Sequence, residues 1–382
     1  MSEEALNNEA QKAELEKIEK VKESLAKLEN KESKFIFVVP EAENPSASIY
    51  EVYFHATVAK KLGHKVVILT EKEEYEPPKW VDQELLDHEH ISMAKNNLTV
   101  GPEDIMIIPE VFSNVMEQTK NLPCVRVGLL QSVDYMLNAL VPGTDWSQFG
   151  INKMITTSQT LKEFVETFYG KNKFDVSVYN PSVPDYFKKG DKPQKPVISV
   201  IGRNPNEISK LVKLFYARYP QYSWVTFDPM LTKSKPPQPM RRKDFADRLN
   251  NNFAAVWVDR ISSWGTFPLE CMRSGTIPVG LIPDITPEYL LERDENGEVN
   301  KMKENVGIWT NNFYDLPVFL GEVLIKFLDD NIGDDLYENM ENIASEYTPE
   351  NSENQIKEIY NNLIEERKKV FNSAIESANK SE

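Results

Sequence analysis

The sequence predicts an α/β protein with two Rossmann-like domains, each built on a parallel sheet. Strand-like apolar runs alternate with helical patterns along most of the 382 residues, as crossover connections between parallel strands require. A Lys/Pro/Gly-rich stretch at 188–196 has the composition of a linker and divides this alternation into two series. We therefore place the domains at 34–190 and 191–350, with a helix before them at 1–33 and another after them at 351–382.

Composition and charge indicate a soluble protein of the cytoplasm. Hydrophobic residues make up 40% of the chain and charged residues 27%, which are ordinary values for a globular protein. No apolar run reaches the roughly eighteen residues of a membrane span, and the acidic, polar N-terminus does not resemble a secretory signal. Cys124 and Cys271 lie in apolar segments, as reduced core cysteines do. The net charge of −16 disfavours non-specific binding to nucleic acid.

Residues 1–33 predict an amphipathic helix. Ile18, Val21, Leu25 and Leu28 recur at spacings of three and four residues between glutamates and lysines. This stripe covers about two heptads. The helix either pairs with a second copy of the chain, which would give a homodimer, or docks on the rest of the protein, and the pattern does not choose between the two.

Strand-like, mostly apolar runs predict the strands of the first domain, because strands of a parallel sheet are buried on both faces. A helical pattern at 50–62 separates the first two of these runs. The predicted strands span residues 35–39, 66–69, 105–109, 125–130 and 154–157.

The second domain repeats the alternation. Helices are predicted at 207–216 and 244–250, and a long polar helix with one apolar side is predicted at 352–378. The predicted strands span residues 197–201, 223–227, 254–258 and 306–309, with a further buried strand that ends near residue 280.

The segment from Phe253 to Gly280 is the most informative part of the sequence. A buried strand is followed by a loop with little side-chain bulk, then by a short helix. Pro268 fits only the first turn of that helix, and Gly275 provides a left-handed stop. The N-terminus of such a helix presents free N–H groups and a partial positive charge, which suit a phosphate or diphosphate. Glu270, one turn into the helix, either accepts hydrogen bonds from a ribose diol or only complements the helix dipole.

Residues 264–279, Trp-Gly-Thr-Phe-Pro-Leu-Glu-Cys-Met-Arg-Ser-Gly-Thr-Ile-Pro-Val, resemble the donor-binding signature of retaining glycosyltransferases with the GT-B fold. That family carries two glutamates separated by seven residues. Glu270 matches the second, which holds the ribose of a nucleotide-sugar, whereas Ser262 replaces the first, which contacts the transferred sugar. The resemblance implies two domains that face a cleft, with the nucleotide-sugar on the second domain and the acceptor on the first.

The resemblance also extends to Ile201-Gly202-Arg203, which is similar to the Gly-Arg that opens the family's second domain. There the arginine reaches the donor diphosphate, usually with a lysine five residues later, but Ile208 stands at that position here. Arg203 alternatively forms a surface ion pair with Glu207, and Arg260 is either a substitute for the lost lysine or a rim residue. The resemblance thus implies Arg203 and Glu270 as catalytic residues. The implied donor site consists of Arg203, Arg260, Ser262, Ser263, Trp264, Gly265, Thr266, Phe267 and Glu270.

A cationic segment at 233–243 carries five positive residues and no acid. It follows a predicted strand of the second domain, so it lies at the edge where ligands of open α/β sheets bind. It contacts the donor nucleotide or a polyanionic acceptor, or it is a solvated loop that balances local charge.

The acceptor side of the cleft is expected at the loop after the first strand and at the end of the strand 125–130. Glu41 or Glu43 either accepts a proton from an acceptor hydroxyl or is an exposed acid at a capped helix start. Gln131 stands where many relatives carry a histidine, and a glutamine can bind a hydroxyl but cannot act as a base. The predicted acceptor-side residues are Glu41, Asn44, Ser46 and Gln131.

These observations predict a retaining glycosyltransferase whose substrate is a nucleotide-sugar such as a UDP-sugar, with no cofactor. We expect no metal, because the chain lacks an Asp-x-Asp motif and His88 and His90 have no third ligand nearby in sequence. A glycan or small-molecule acceptor is favoured, and a nucleic acid stays open because some phage enzymes of this fold modify DNA. The departures at 131, 208 and 262 leave an alternative, a catalytically silent binding or scaffold protein; a sugar-nucleotide epimerase or hydrolase is a further rival.

Overall fold

The computed structural model of this chain describes most of residues 32–380. The described residues are 19–20, 23, 32–41, 46–95, 98–191, 196–202, 204–229, 240–258 and 265–380, the last ten of these without their side chains. The amphipathic helix predicted at 1–33, for which pairing with a second copy of the chain and docking on the rest of the protein were both open, lies for the most part outside the described residues.

Seven parallel strands form the first sheet. They are β1 (Lys34–Val38), β2 (Lys65–Thr70), β3 (Glu89–Ser92), β4 (Ile105–Pro109), β5 (Val125–Leu130), β6 (Lys153–Thr156) and β7 (Asp175–Val178). The crossover helices are α1 (Ala47–Lys61), α2 (Ser113–Gln118), α3 (Val133–Ala139) and α4 (Gln159–Tyr169). The spatial order is β3-β2-β1-β4-β5-β6-β7, so the direction of winding reverses between β1 and β4. A reversal of this kind opens a crevice at the carboxyl ends of the strands.

Strand β1 shows why the apolar runs form strands. Its alternate side chains belong to two different cores: Phe35 and Phe37 pack with α1 on one face, and Ile36 and Val38 pack with residues such as Trp146 on the other. A strand with a core on each face has no polar side, which is the pattern of a central parallel strand.

The second sheet has five parallel strands, and a two-stranded antiparallel hairpin lies beside them. The strands are β8 (Val197–Ile201), β9 (Thr226–Pro229), β10 (Ala254–Trp257), β11 (Ile277–Leu281) and β14 (Ile308–Thr310), and the hairpin is β12 (Leu291–Arg293) with β13 (Val299–Met302). The helices are α5 (Pro205–Arg218), α6 (Arg242–Asn250), α7 (Phe267–Arg273), α8 (Leu316–Leu328) and α9 (Asp334–Ser345). The strand order β14-β11-β10-β8-β9 reverses between β8 and β10.

The last helix, α10 (Pro349–Lys380), returns from the second sheet to the first. Ile356, Tyr360 and Leu363 lie in the same core as Phe35, and the rings of Tyr360 and Phe35 are 4.8 Å apart between centroids. Near the far end of this contact, Arg367 donates a hydrogen bond of 2.6 Å to the carbonyl of Glu103. The helix thereby ties the C-terminal part of the chain to the first domain.

The predicted α/β class with two parallel sheets is confirmed, and the bounds predicted for β4, β5 and β8 agree with the structure. The strand predicted at 223–227 is wrong in its position. Pro220 to Tyr222 form a 3-10 turn, whose end is fixed by a hydrogen bond from Val225 N–H to the Tyr222 carbonyl, and the strand begins at Thr226. None of the helices in the described part of the chain combines the length and the apolar character that a membrane crossing needs.

Gly202, directly after β8, allows the close contact between β8 and β10 where the second sheet reverses its order. A Cβ atom on this glycine would lie 2.3 Å from Cγ2 of Val258, which follows β10 and is 1% exposed. We expect Gly202→Ala to lower the free energy of unfolding by about 1–3 kcal/mol, because the buried methyl of Val258 has no room to move. Chemical denaturation measures the effect.

The control is the double variant Gly202→Ala/Val258→Ala, which removes the clashing methyl. Its loss of stability should be smaller than the sum of the two single losses, because the two changes relieve each other. Additive losses would show that the clash is not the cause.

Candidate functional site

The second sheet presents the start of α7 at the point where its strand order reverses. Two local signals shape this segment as predicted: Pro268 lies in the first turn of α7, and Gly275 ends it with a φ of +66°. Gly265, just before the helix, packs so tightly on Trp257 that a Cβ would lie 3.0 Å from its ring, and its carbonyl accepts a hydrogen bond of 2.5 Å from the Tyr289 hydroxyl. This end of the loop is therefore held from two sides.

Glu270 lies one turn into α7 and is 6% exposed. Its N–H bonds the carbonyl of Thr266, and its carboxylate oxygen Oε1 accepts a hydrogen bond of 2.7 Å from Nη2 of Arg242. Thr266 and Phe267 are buried as well, at 4% and 8% exposed. The carboxylate predicted to hold a ribose is thus already oriented by a buried cation.

Arg242, at the first position of α6, reaches from the second domain to the first. Its guanidinium carbon lies 3.9 Å from the centre of the Tyr50 ring of α1, a cation–π contact, and its backbone N–H bonds the carbonyl of Trp80. Arg242 is 8% exposed, and its Nη1 is buried without a hydrogen-bond partner among the described residues. One side chain therefore joins the helix that carries Glu270 to a helix of the other domain.

Tyr50 is fixed in its turn by Asp82. The hydroxyl of Tyr50 donates to Oδ2 of Asp82 over 3.3 Å, and the hydroxyl of Tyr186 donates to the same oxygen over 3.0 Å. Tyr186 belongs to the segment that leads from the first sheet to the second. Asp82 therefore links the Tyr50 ring, which contacts Arg242, to the segment that leads into the second sheet.

Glu51, the neighbour of Tyr50 on α1, is completely buried. Its carboxylate accepts long hydrogen bonds of 3.4–3.5 Å from Tyr179 and from the N–H and hydroxyl of Ser182. Burial raises the pKa of Glu51 to about 7, although the charge of Arg242 and the hydrogen bonds oppose the rise.

The described acceptor-side residues are engaged within the first domain. Glu41 accepts a hydrogen bond from the backbone N–H of Lys72 and forms an ion pair of 3.1 Å with its ammonium group. Gln131 is 2% exposed, and its amide donates to the carbonyl of Ser48 over 3.1 Å. Ser46 is the N-cap residue of α1, although its side chain makes no capping hydrogen bond. The structure therefore brings Ser46 and Gln131 to the same helix start and directs Glu41 to the loop after β2.

Glu110 lies at the carboxyl end of β4, beside the reversal in the first sheet, and is 1% exposed. Burial raises its pKa to about 8, against hydrogen bonds from its own N–H and from the N–H groups of Gln131 and Ser132. Its Oε2 has no hydrogen-bond partner among the described residues. Glu110 is thus a carboxyl group that burial keeps largely neutral at pH 7.

Several predicted site residues lie outside the described residues: Glu43, Asn44, Arg203, Arg260, Ser262, Ser263 and Trp264. Conversely, the sequence did not single out Arg242, Glu51 or Glu110 as site residues. Arg242 lay within the cationic segment 233–243, for which a contact with the donor was one interpretation. Local sequence carried no signal that this arginine, rather than its neighbours, would be buried.

No protein-family model and no curated protein sequence matches this chain. Solved structures with the same fold are found at 9–13% sequence identity. Sucrose-phosphate synthase from Thermosynechococcus elongatus is similar at a TM-score of 0.58 and 11% identity, covering 87% of this chain and 99% of that one. The pneumococcal O-GlcNAc transferase GtfA, in complex with UDP and GlcNAc, is similar at a TM-score of 0.56 and 9% identity, covering 88% and 99%.

A third similar structure is an alpha-glucosyltransferase in complex with UDP and a 13-mer DNA containing an HMU base. Its TM-score is 0.56 at 12% identity, covering 87% of this chain and 99% of that one. The likeness covers 87–88% of this chain in all three comparisons. The chain therefore has the GT-B fold, as the residues at 264–279 led us to expect.

The raised pKa of Glu110 has a consequence for stability. A carboxyl whose folded pKa of about 8 exceeds its ordinary 4.5 favours the folded state at low pH, and this contribution is lost as the pH rises toward 8. Relative to Glu110→Gln, the wild type should therefore lose stability between pH 5 and pH 8, by at most about 1.4 kcal/mol per pH unit. Chemical denaturation of both proteins at four pH values measures this difference.

Glu117→Gln, which changes an exposed acid on α2, is the matched control and should leave the pH dependence of the wild type unchanged. If the difference between wild type and Glu110→Gln is constant from pH 5 to pH 8, Glu110 is ionised throughout and its raised pKa is wrong.

Proposed function

We propose that this protein is a glycosyltransferase that transfers a hexose or pentose from a nucleoside-diphosphate sugar to an acceptor hydroxyl. The observation that carries the proposal is the extent of the structural likeness. Glycosyltransferase structures match 87–88% of this chain and 98–100% of their own length, so the match includes both domains together. A single shared Rossmann-like domain would suggest only a nucleotide site, since that domain serves many functions.

The donor belongs on the second domain, at the start of α7. GtfA and the alpha-glucosyltransferase are described with UDP, and a starch synthase with ADP, which supports a nucleoside diphosphate as the leaving group here. Glu270 would accept hydrogen bonds from the ribose hydroxyls through the orientation that Arg242 gives it. Gly265 and Thr266 would face the diphosphate with their backbone, and Arg203, directly after β8, would hold two of its oxygens with its planar guanidinium.

The chemistry we propose depends on the leaving group. Cleavage of the sugar–phosphate bond increases the negative charge on the diphosphate, and preorganised cations and N–H groups stabilise that charge. Glu41 and Gln131 are engaged by Lys72 and Ser48, which fits a reaction without a protein base on the acceptor side. Retention of the anomeric configuration and independence of metal ions complete the proposal, and closure of the two domains would exclude water from the reacting bond.

A glycan or a small molecule is the acceptor class that we favour. The chain carries a net charge of −16, which opposes the approach of a long polyanion unless a local basic surface compensates it. We place the protein in the cytoplasm, where the free thiols of Cys124 and Cys271 would stay reduced.

A thermal-shift panel with UDP, ADP, UDP-glucose, UDP-GlcNAc and ADP-glucose tests the donor site. A ligand at one hundred times its Kd stabilises the folded state by about 2.7 kcal/mol, which raises the Tm measurably. We expect at least one of these compounds to raise the Tm of the wild type, and we expect Glu270→Gln and Arg203→Met to lose most of that rise, each compared with its own ligand-free Tm.

Glu322→Gln, an exposed acid on α8, is the control and should respond like the wild type. A wild type that none of the five compounds stabilises would contradict the proposed donor site. Where a nucleotide-sugar binds, release of the free nucleoside diphosphate in the presence of mixed glycan acceptors measures transfer. Binding without release across all acceptors would favour a silent scaffold protein.

A further inference from the structure

We propose that Arg242 is a positioning residue that couples the donor-binding carboxylate of Glu270 to helix α1 of the other domain, so that Tyr50 contributes to nucleotide affinity without touching the nucleotide. This inference rests on the proposed function for its ligand. The restraint that Arg242 and Tyr50 place on α7 concerns the protein alone, and hydrogen exchange measures it without a ligand.

The first step is the ion pair. Arg242 and Glu270 have side chains 8% and 7% exposed, and their closest atoms are 2.7 Å apart. Two charges withdrawn from water to this degree are stable only with each other and with further partners, because desolvation costs several kcal/mol per ion. The carboxylate of Glu270 is therefore restrained in one orientation by a group that lies 28 residues earlier in the chain.

The second step is the contact across the domains. The guanidinium carbon of Arg242 lies 3.9 Å from the centre of the Tyr50 ring and 5.8 Å from the centre of the Phe187 ring. A cation over a tyrosine ring is stabilised by about 0.5–2 kcal/mol, with the larger value for a desolvated pair. The ring of Tyr50 offsets part of the desolvation cost of Arg242 in this ion pair, so displacement of α1 would weaken the restraint on Glu270.

The third step is that the described residues give Arg242 few alternative partners. Among them, Nη1 of Arg242 is buried and unpaired, and Glu51, a further acid whose charge acts on Arg242, has its carboxylate bonded to Tyr179 and Ser182. The side chain of Arg242 therefore depends on Glu270 and Tyr50 for most of its stabilisation. A residue that served only to fill space would not need a charged partner on the donor helix.

Four variants test the inference with UDP and ADP as probes in isothermal titration. Arg242→Met should raise the Kd about tenfold or more. Arg242→Lys keeps the charge but loses the planar guanidinium and its paired N–H donors, so it should retain part of the affinity that Arg242→Met loses. Tyr50→Leu should raise the Kd about three- to tenfold, whereas Tyr50→Phe, which keeps the ring and loses only the bond to Asp82, should change it less than about twofold.

Arg248→Met is the matched control for the arginine. Arg248 lies on the same helix, and it forms its ion pair with Asp228 of the second sheet and not with Glu270. Its loss should leave the Kd within about twofold of the wild type. In the Glu270→Gln background, Arg242→Met should add no further loss of affinity, because both changes remove the same interaction.

Hydrogen exchange measured without any nucleotide tests directly whether Arg242 and Tyr50 stabilise α7. Exchange at the amides of Glu270 and Ser274, which bond within and at the end of α7, should become at least about fivefold faster in Arg242→Met and Tyr50→Leu. It should stay as in the wild type in Tyr50→Phe and Arg248→Met. If Arg242→Met fails to fold, Tyr50→Leu still tests the inference, because it keeps the ion pair.

The outcomes separate the two proposals. A wild type that binds neither UDP nor ADP, and that none of the five compounds of the thermal-shift panel stabilises, contradicts the proposed donor site, and the hydrogen-exchange pattern alone then tests the positioning role of Arg242. Unchanged exchange in α7 of Arg242→Met and Tyr50→Leu overturns the inference, and so does a Tyr50→Phe that loses as much affinity as Tyr50→Leu. Lower stability with unchanged Kd and unchanged exchange would reduce Arg242 to a structural ion pair.

Discussion

The charge of Arg242 lies between the two sheets, and a guanidinium with 8% exposure needs partners in its immediate surroundings. The chain supplies them from separate elements: Glu270 from α7 and Tyr50 from α1 of the first domain. Arg242 itself lies on α6, so its two contacts join α1, α6 and α7. The arrangement of the candidate donor site therefore follows from where one charge is buried.

The first domain contains buried carboxyl groups, whereas the contact between the domains contains a buried guanidinium. Glu51 and Glu110 are both buried in a chain whose net charge is −16, and burial raises the pKa of each. Glu51 has the positive charge of Arg242 near it, whereas Glu110 relies on backbone N–H groups at the ends of β4 and β5. Both acids lie near the carboxyl edge of the first sheet, the edge at which ligands of this fold approach. The fold buries both acids at this edge, and their raised pKa values make its stability depend on pH.

The sequence predicted those features that depend on local stereochemistry and on continuous burial. β4, β5 and β8 could be placed to the residue because nearly all of their residues are apolar, with Arg126 in β5 and Ser199 in β8 as exceptions, and the first turn and the end of α7 followed from Pro268 and Gly275. The strand at 226–229 was misplaced because the turn after Pro220 uses residues that also suit a strand. Such a choice is decided by backbone hydrogen bonds that a single sequence does not show.

Tertiary contacts account for what could not be predicted. Arg242 lies at the end of a run of cations whose composition favours exposure, and its burial depends on Glu270 and on Tyr50, which is 192 residues away in the sequence. The amide of Gln131, a residue predicted on the acceptor side, donates to a carbonyl 83 residues earlier. Neither contact could be predicted from the spacing or composition of the neighbouring residues.

The start of α1 connects both halves of the candidate site. Gln131, from the acceptor side, binds the carbonyl of Ser48, and Tyr50, less than one turn further on, receives the guanidinium of Arg242 from the donor side. A helix moves as a rigid body over so short a distance, so a shift of its first turn changes both contacts together. In the proposed reaction, α1 would therefore couple the position of Gln131 to the position of Arg242.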